Sequence, residues 1–251
     1  DAVFITKAMD ILNMDKETEK FYKVFCKKTQ SKNGMWEQRF YTDCKLAPSW
    51  GYQVDETASV IYGVYEHYLA TKNEKFLKET LPMCEKAISF LKHYVKDWLN
   101  LEPEEIANKD KVKEEMEEQL KKHGKERKLH ISYDLWEMCE GVHLYSLSSI
   151  YSAFECILTI YKVLGKNVSD FENNRLKEEK VQKNEKEIRK LMIDIKNYID
   201  QNLYDESKKS YVSNTDDKKM DISILGAVTP FSVYKPKEKK ILNTVDRINL
   251  S

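Results

Sequence analysis

Residues 47–56, with the sequence APSWGYQVDE, place a tryptophan beside amide and carboxylate groups just ahead of an amphipathic segment. A sugar ring has apolar C–H faces and a polar rim, so a site that binds it needs an aromatic platform together with fixed hydrogen-bonding groups. Trp50 can supply the platform, and Gln53 and Asp55 can supply the polar contacts. The alternative is structural: Trp50 packs against a neighbouring helix, and Asp55 only caps the helix that follows.

Residues 132–143, with the sequence SYDLWEMCEGVH, place Glu137 between two apolar side chains, Trp136 and Met138. Apolar surroundings raise the pKa of a carboxyl because they disfavour its ionised form, and the nearby Asp134 and Glu140 could add like-charge repulsion in the same direction. A general acid that works near neutral pH needs such a raised pKa. The pattern therefore indicates an acid catalyst at Glu137. The alternative is a loop whose acids face water and whose tryptophan fills a gap in the core.

The elements that must position these side chains are helices, because glycine and proline are scarce and apolar residues recur at helical spacing for most of the chain. A helix over 55–70, capped by Asp55, follows the first stretch, and a largely apolar helix over 148–164 follows the second. The same spacing predicts helices over 2–12, 17–27, 74–99 (kinked or divided at Pro82) and 175–203. Residues 35–41 and 210–212 are predicted to be short strands or hairpin arms in loops between helices. The expected fold class is all-α.

A single domain over 1–251 is the simplest interpretation of the length and of the apolar fraction of 41%. Residues 102–128 are almost entirely Glu, Lys, Asn and Asp, and they are predicted to form a charged insertion within that domain, either a solvated helix or a mobile loop. No chemistry is assigned to this segment.

The composition argues against several classes of partner. Basic and acidic residues number 42 each, so there is no net field to attract nucleic acid or an anionic membrane, and no apolar run approaches the roughly 20 residues that span a bilayer. The histidines lack the spacing of a metal site, and we predict no metal and no cofactor. The odd number of cysteines and the absence of a CxxC pair indicate reduced thiols, which favour a cytoplasmic location over a secreted one.

Taken as a set, the two stretches resemble the catalytic domains of family-15 glycoside hydrolases, especially bacterial glucoamylases. The shared order is SWGYQVDETA, then YDLWE followed by GVH, then a helix. The start of the chain, Asp1-Ala2-Val3, looks like the tail of the family motif W-x-R-D-A, and residues 221–231, DISILGAVTPF, resemble a later family segment. The resemblance covers nearly all of the chain apart from the charged insertion.

The resemblance implies an (α/α)6 barrel and hydrolysis, with inversion, of terminal α-linked glucose from maltooligosaccharides or starch-type glucans. Glu137 resembles the general acid of the family. The matching sugar-binding positions are Asp1, Trp50, Gln53, Asp55, Asp134 and Trp136. The general base of the family is a glutamate in a later loop, beyond residue 251, so catalysis is expected to require the remainder of the catalytic domain.

One departure from the family pattern keeps a second function open. Many members carry another glutamate directly after the acid, where this chain has Met138. A non-catalytic sugar-binding or regulatory domain of the same fold, like the glucoamylase-like part of phosphorylase kinase regulatory subunits, is therefore the main alternative. A helical scaffold for protein partners ranks last, because it would not explain two clusters of aromatic and acidic residues in loops.

Overall fold

The structure is a computed structural model that describes residues 1–49, 51–99, 132–165, 175–215 and 218–250, and most of these residues are helical. The helices are α1 (Ala2–Ile11), α2 (Asp15–Lys20), which continues through a π-helical stretch (Phe21–Cys26) into α3 (Lys27–Thr29), α4 (Val54–Thr71), α5 (Glu74–Leu99), α6 (Leu144–Gly165), α7 (Arg175–Asn202), a 3₁₀-helix (Ile222–Ala227) and α8 (Lys239–Ile248). The all-α prediction is confirmed, whereas the (α/α)6 barrel stays a prediction.

The core lies between α4 and α6, which pack along each other and also against α5. α6 is buried around most of its circumference, as its apolar residues predict; α1 covers α4 on one side and α7 covers α5 and α6 on the other. α4 and α5 are joined by two residues only, and Lys72 adopts a left-handed backbone conformation that closes the turn. Successive helices therefore pack as hairpins.

By length and composition, α6 is long and apolar enough to cross a membrane, although its apolar residues do not form an unbroken run of that length. Most of its surface is buried between neighbouring helices of the same chain. Its apolar character is therefore that of a core helix.

Two helix predictions need correction. α4 begins at Val54 and Gln53 occupies the cap position, so Asp55 lies inside the first turn and is not the cap. α5 runs without interruption past Pro82, so the helix is not divided there, whereas a kink at this position stays a prediction. Leu77 and Cys84, on either side of the proline, are fully buried. Their packing offsets the hydrogen bond that a proline removes from a helix.

No strand is found over 35–41, but the end of this segment is one arm of a short hairpin. Phe40 makes an isolated antiparallel bridge with Leu46, and the N–H groups of Tyr41 and Ala47 donate to the carbonyls of Lys45 and Arg39 at 2.8 Å and 3.0 Å. Earlier in the segment, residues of the neighbouring helices accept both N–H groups of Trp36. The backbone N–H of Trp36 donates to Oγ1 of Thr57 at 3.0 Å, and its indole N–H donates to the carbonyl of Cys26 at 2.9 Å.

Two short antiparallel hairpins complete the described fold. The predicted strand at 210–212 is found as β4 (Ser210–Tyr211), which pairs with β3 (Tyr204–Asp205). A hairpin that was not predicted, β1 (Ser132–Tyr133) with β2 (Glu140–Gly141), encloses the turn that carries Glu137. The predicted insertion at 102–128 and the side chain of Trp50 lie outside the described residues.

Candidate active site

A cavity of about 640 Å³ opens among the start of α1, the π-helical stretch, the loop over 36–41, the first turns of α4 and the β1–β2 turn. This volume lies within the usual range for small-molecule sites. The cavity brings together the four predicted site residues Asp1, Gln53, Asp55 and Glu137, which are separated by up to more than a hundred positions in the chain. Asp134 and Trp136, in contrast, do not line it.

The β1–β2 turn is built by Asp134. Its carboxylate accepts the backbone N–H groups of Met138 at 2.7 Å and of Cys139 at 3.1 Å, and its carbonyl accepts the N–H of Glu137 at 3.0 Å. Glu137 itself has a φ of 59°, a left-handed conformation that costs a non-glycine residue on the order of 1–2 kcal/mol. The described contacts of Asp134 are therefore those of a residue that shapes the turn presenting Glu137.

The expected apolar enclosure of Glu137 is not found. The side chains of Trp136 and Met138 are 51% and 79% exposed, because the tight turn directs both of its apolar residues outwards. Glu137 instead lines the cavity, where Nη2 of Arg39 donates to both carboxylate oxygens, at 2.7 Å and 2.5 Å. A charge-assisted contact of this kind holds a carboxylate in one orientation.

Trp136 is held outside the cavity by a residue distant in sequence. Its indole N–H donates to both carboxylate oxygens of Asp221, each at 3.0 Å. The same Asp221 caps the 3₁₀-helix by accepting the N–H of Ser223 at 2.7 Å. Trp136 thus has its polar atom satisfied while about half of its surface remains exposed beside the turn.

Gln53 connects the start of α4 to the same turn. Its side-chain N–H donates to the carbonyl of Asp134 at 2.6 Å, and its side-chain oxygen accepts from Gln38 at 2.6 Å. The side chain is almost fully buried. Gln53 therefore ties three segments of the cavity wall together.

Asp55 is the most deeply buried acid of the cavity. Oγ of Ser146 donates to it at 3.4 Å. Burial, assisted by the negative charge of Glu56, raises the pKa of the Asp55 carboxyl to about 7. An acid with this pKa exchanges protons near neutral pH, which is a common property of catalytic sites.

Three charged residues of the cavity, Glu37, Arg39 and Glu56, were missed from the sequence. Glu56 directly follows Asp55 in the first stretch, and burial raises the pKa of its carboxyl, with a further increase from the negative charge of Glu137. Arg39 lies in the segment 35–41, which is predicted to be a strand or a hairpin arm. Its distance of 98 positions from Glu137 left no local pattern that could have linked the two.

The rest of the wall is rich in aromatic side chains. The π-helical stretch places Phe21 and Phe25 on it, with their rings stacked at 5.6 Å between centroids. Trp36, Phe40 and Tyr145 complete this surface. The cavity therefore combines apolar planes with carboxylates, the combination that sugar binding requires.

No protein-family model matches the chain. The chain is 23% identical, over 250 residues, to an uncharacterized glycosyl hydrolase of Methanocaldococcus jannaschii, MJ1610, and the match covers 99% of this chain and 33% of that protein. A solved wild-type glycosidase has a similar structure, with a TM-score of 0.64 and 12% identity over 96% of this chain and 56% of that chain. A glycosidase variant gives a TM-score of 0.63 and 13% identity.

The chain spans about a third of the length of the curated relative and about half the length of the solved glycosidase. Within that span, the sequence similarity indicates distant homology to a glycosyl hydrolase, and the fold is one that is also found in solved glycosidases.

Proposed function

We propose that the chain is part of the catalytic domain of a glucoamylase-type glycoside hydrolase of family 15. In this proposal the protein removes terminal α-linked glucose from maltooligosaccharides or starch-type glucans with inversion. The observation that supports it most directly is that Asp1, Asp55 and Glu137, which lie far apart in sequence, line one cavity with aromatic walls. Distant homology to a glycosyl hydrolase agrees with it.

In this mechanism Glu137 protonates the glycosidic oxygen of the leaving sugar. An inverting glycosidase also needs a second carboxylate, roughly 6.5–9.5 Å from the acid, that activates a water on the other face of the ring. We assign this base to a glutamate outside residues 1–251, as the family resemblance implies. Asp1 and Trp50 would then position the terminal glucose for attack.

The ion pair with Arg39 adds a condition to this mechanism. Both carboxylate oxygens of Glu137 accept hydrogen bonds from Arg39, so neither oxygen can donate a proton to a glycosidic oxygen while the pair is in place. The pair must therefore loosen when the sugar occupies the cavity, which excludes water and offers new hydrogen-bond partners to both groups. Arg39 would then be able to turn towards the substrate.

A non-catalytic sugar-binding or regulatory domain is the second candidate. It is favoured by the same ion pair, which occupies the carboxylate of Glu137, and by the exposed Met138 in place of a second glutamate. In this case the cavity would bind a sugar without cleaving it.

The two candidates are separated by incubating the complete protein with maltose and with soluble starch while proton NMR follows the anomeric signals. From soluble starch we expect β-glucose as the first product, because inversion converts an α-linkage into the β-anomer. Early release of α-glucose from starch would contradict inversion, whereas maltose also releases its reducing-end glucose as a mixture of anomers. Binding of maltose without release of glucose would favour the regulatory domain.

A further inference from the structure

The cavity is strongly acidic. Its wall includes the five acidic residues Asp1, Glu37, Asp55, Glu56 and Glu137. Among the described residues that line it, Arg39 is the one basic side chain, and it is already engaged by Glu137. An enclosure with this balance repels a further anion and stabilises a cation, and the effect is stronger than in bulk water because part of the solvent is excluded.

Glu56 is the member of this group whose carboxylate has no polar partner within the described part of the chain. It lies on the first turn of α4, beside Asp55, and lines the cavity. Burying a carboxyl without a hydrogen bond costs free energy, and this cost falls when a ligand supplies hydrogen-bond donors. A carboxylate can accept several hydrogen bonds, and sugar hydroxyl groups can donate them.

Glu56 and Glu137 are also electrostatically coupled. The charge of Glu137 raises the pKa of Glu56, in addition to the larger effect of burial, whereas Arg39 acts in the opposite direction. A ligand that reaches Glu137 therefore lies in the field of Glu56 as well. Glu56 and Glu137 both line the cavity, so a sugar that fills it lies next to both carboxylates.

We propose that Glu56 contacts the bound sugar directly and, with the other acids of the cavity, selects uncharged or positively charged sugars over sugars that carry a carboxylate or a phosphate. This inference rests on the proposed function, because it assumes that the cavity binds a sugar. It adds a specificity residue, Glu56, to the proposed site.

The test is calorimetric titration of the complete protein with three probes at pH 7: the cationic iminosugar 1-deoxynojirimycin, neutral glucose, and anionic glucuronate. We expect the wild type to bind the iminosugar most tightly and glucuronate most weakly. Glu56→Gln keeps the shape of the side chain but removes its charge. We expect it to weaken iminosugar binding at least about tenfold, to weaken glucose binding less, and to narrow the difference between glucose and glucuronate. The matched control is Glu155→Gln, which changes an exposed acid on α6 outside the cavity.

The outcomes separate this inference from the proposed function. If the wild type binds none of the three probes, the sugar site itself is contradicted and this inference falls with it. If the wild type binds sugars but Glu56→Gln behaves like Glu155→Gln, only the role of Glu56 is overturned. Equal affinity of the wild type for glucose and glucuronate would overturn the charge selection. Thermal unfolding of the same variants gives an independent readout: a purely structural Glu56 predicts a changed melting temperature with unchanged binding.

Discussion

The guanidinium of Arg39 holds both carboxylate oxygens of Glu137, with Nη2 at 2.7 Å from Oε1 and 2.5 Å from Oε2. Glu137 lies in a left-handed turn whose apolar neighbours are exposed, so packing does little to fix its side chain. Within the described residues, the ion pair is the contact that aims this carboxylate. This relationship connects the loop over 36–41 to the β1–β2 turn across the cavity.

Replacing Arg39 should therefore impair catalysis through the orientation of Glu137. We expect Arg39→Ala to lower kcat/KM about tenfold to a hundredfold, and Arg39→Lys to lower it less, because lysine keeps the positive charge but places it on a flexible side chain without the planar guanidinium. The measurement is steady-state hydrolysis of maltose by the complete protein. Lys45→Ala is the control, since Lys45 lies in the same region but pairs with the exposed Asp43. Wild-type kcat/KM in Arg39→Ala would refute the orienting role.

Replacing Glu137 by glutamine should remove the proton donor while preserving the shape of the site. We expect turnover to fall by about 10²–10⁴-fold and the affinity for maltose to stay largely intact, because only the proton transfer is lost. Turnover by kinetics and affinity by calorimetry would both be measured on the complete protein. Glu140→Gln, in the same hairpin but outside the cavity wall, is the matched control. Normal turnover of a substrate with a poor leaving group by Glu137→Gln would exclude the acid role.

Asp55 should make the stability of the fold depend on pH. Burial, together with the charge of Glu56, raises the pKa of its carboxyl from 3.8 to about 7, so the folded state keeps a proton that the unfolded state releases over this interval. This carboxyl therefore costs stability progressively as the pH rises from about 4 to 7, by up to about 4 kcal/mol. Below pH 4 both states are protonated and the cost disappears.

We expect Asp55→Asn to abolish this pH dependence and to be more stable than the wild type at pH 8. Denaturant unfolding at pH 5 and pH 8 measures the difference in the free energy of unfolding. Asp246→Asn, at an exposed position on α8, should follow the wild type at both pH values. The same slope with pH in Asp55→Asn and in the wild type would show that Asp55 is not the group responsible.

The contact between α1 and α4 depends on the absence of a side chain at Gly63. A Cβ at this position would overlap the hydroxyl of Tyr22 and would lie 2.7 Å from Cγ1 of Val3. Tyr22 cannot easily move, because it is fully buried and its hydroxyl is hydrogen-bonded to Oγ1 of Thr6 at 2.8 Å. We expect Gly63→Ala to lower the free energy of unfolding by about 1–3 kcal/mol.

The control for this prediction is Gly165→Ala at the end of α6, where an added Cβ meets nothing within 4 Å. Thermal unfolding followed by circular dichroism compares the two variants under the same conditions. Equal melting temperatures for Gly63→Ala and the wild type would mean that the packing of α1 on α4 is looser than the structure indicates.

The amino-acid sequence was sufficient to predict the helices and the order of the candidate site residues along the chain. The stripe of apolar residues over 55–70 predicts α4 because helical periodicity is a local property, and the same holds for α5 and α7. The two short stretches could likewise be recognised, and they supplied Gln53, Asp55 and Glu137, which the fold brings to one cavity with Asp1.

The surroundings of these site residues could not be predicted from the sequence, because they are formed by residues that are distant along the chain. The apolar neighbours of Glu137 in sequence point outwards, and its partner in space is Arg39, 98 positions away. Asp55 has the sequence position of a helix cap but is buried with an elevated pKa, because α6 covers it through Ser146. Local periodicity sets the helices of this protein, whereas burial and ionisation in the cavity depend on which helices and loops pack together.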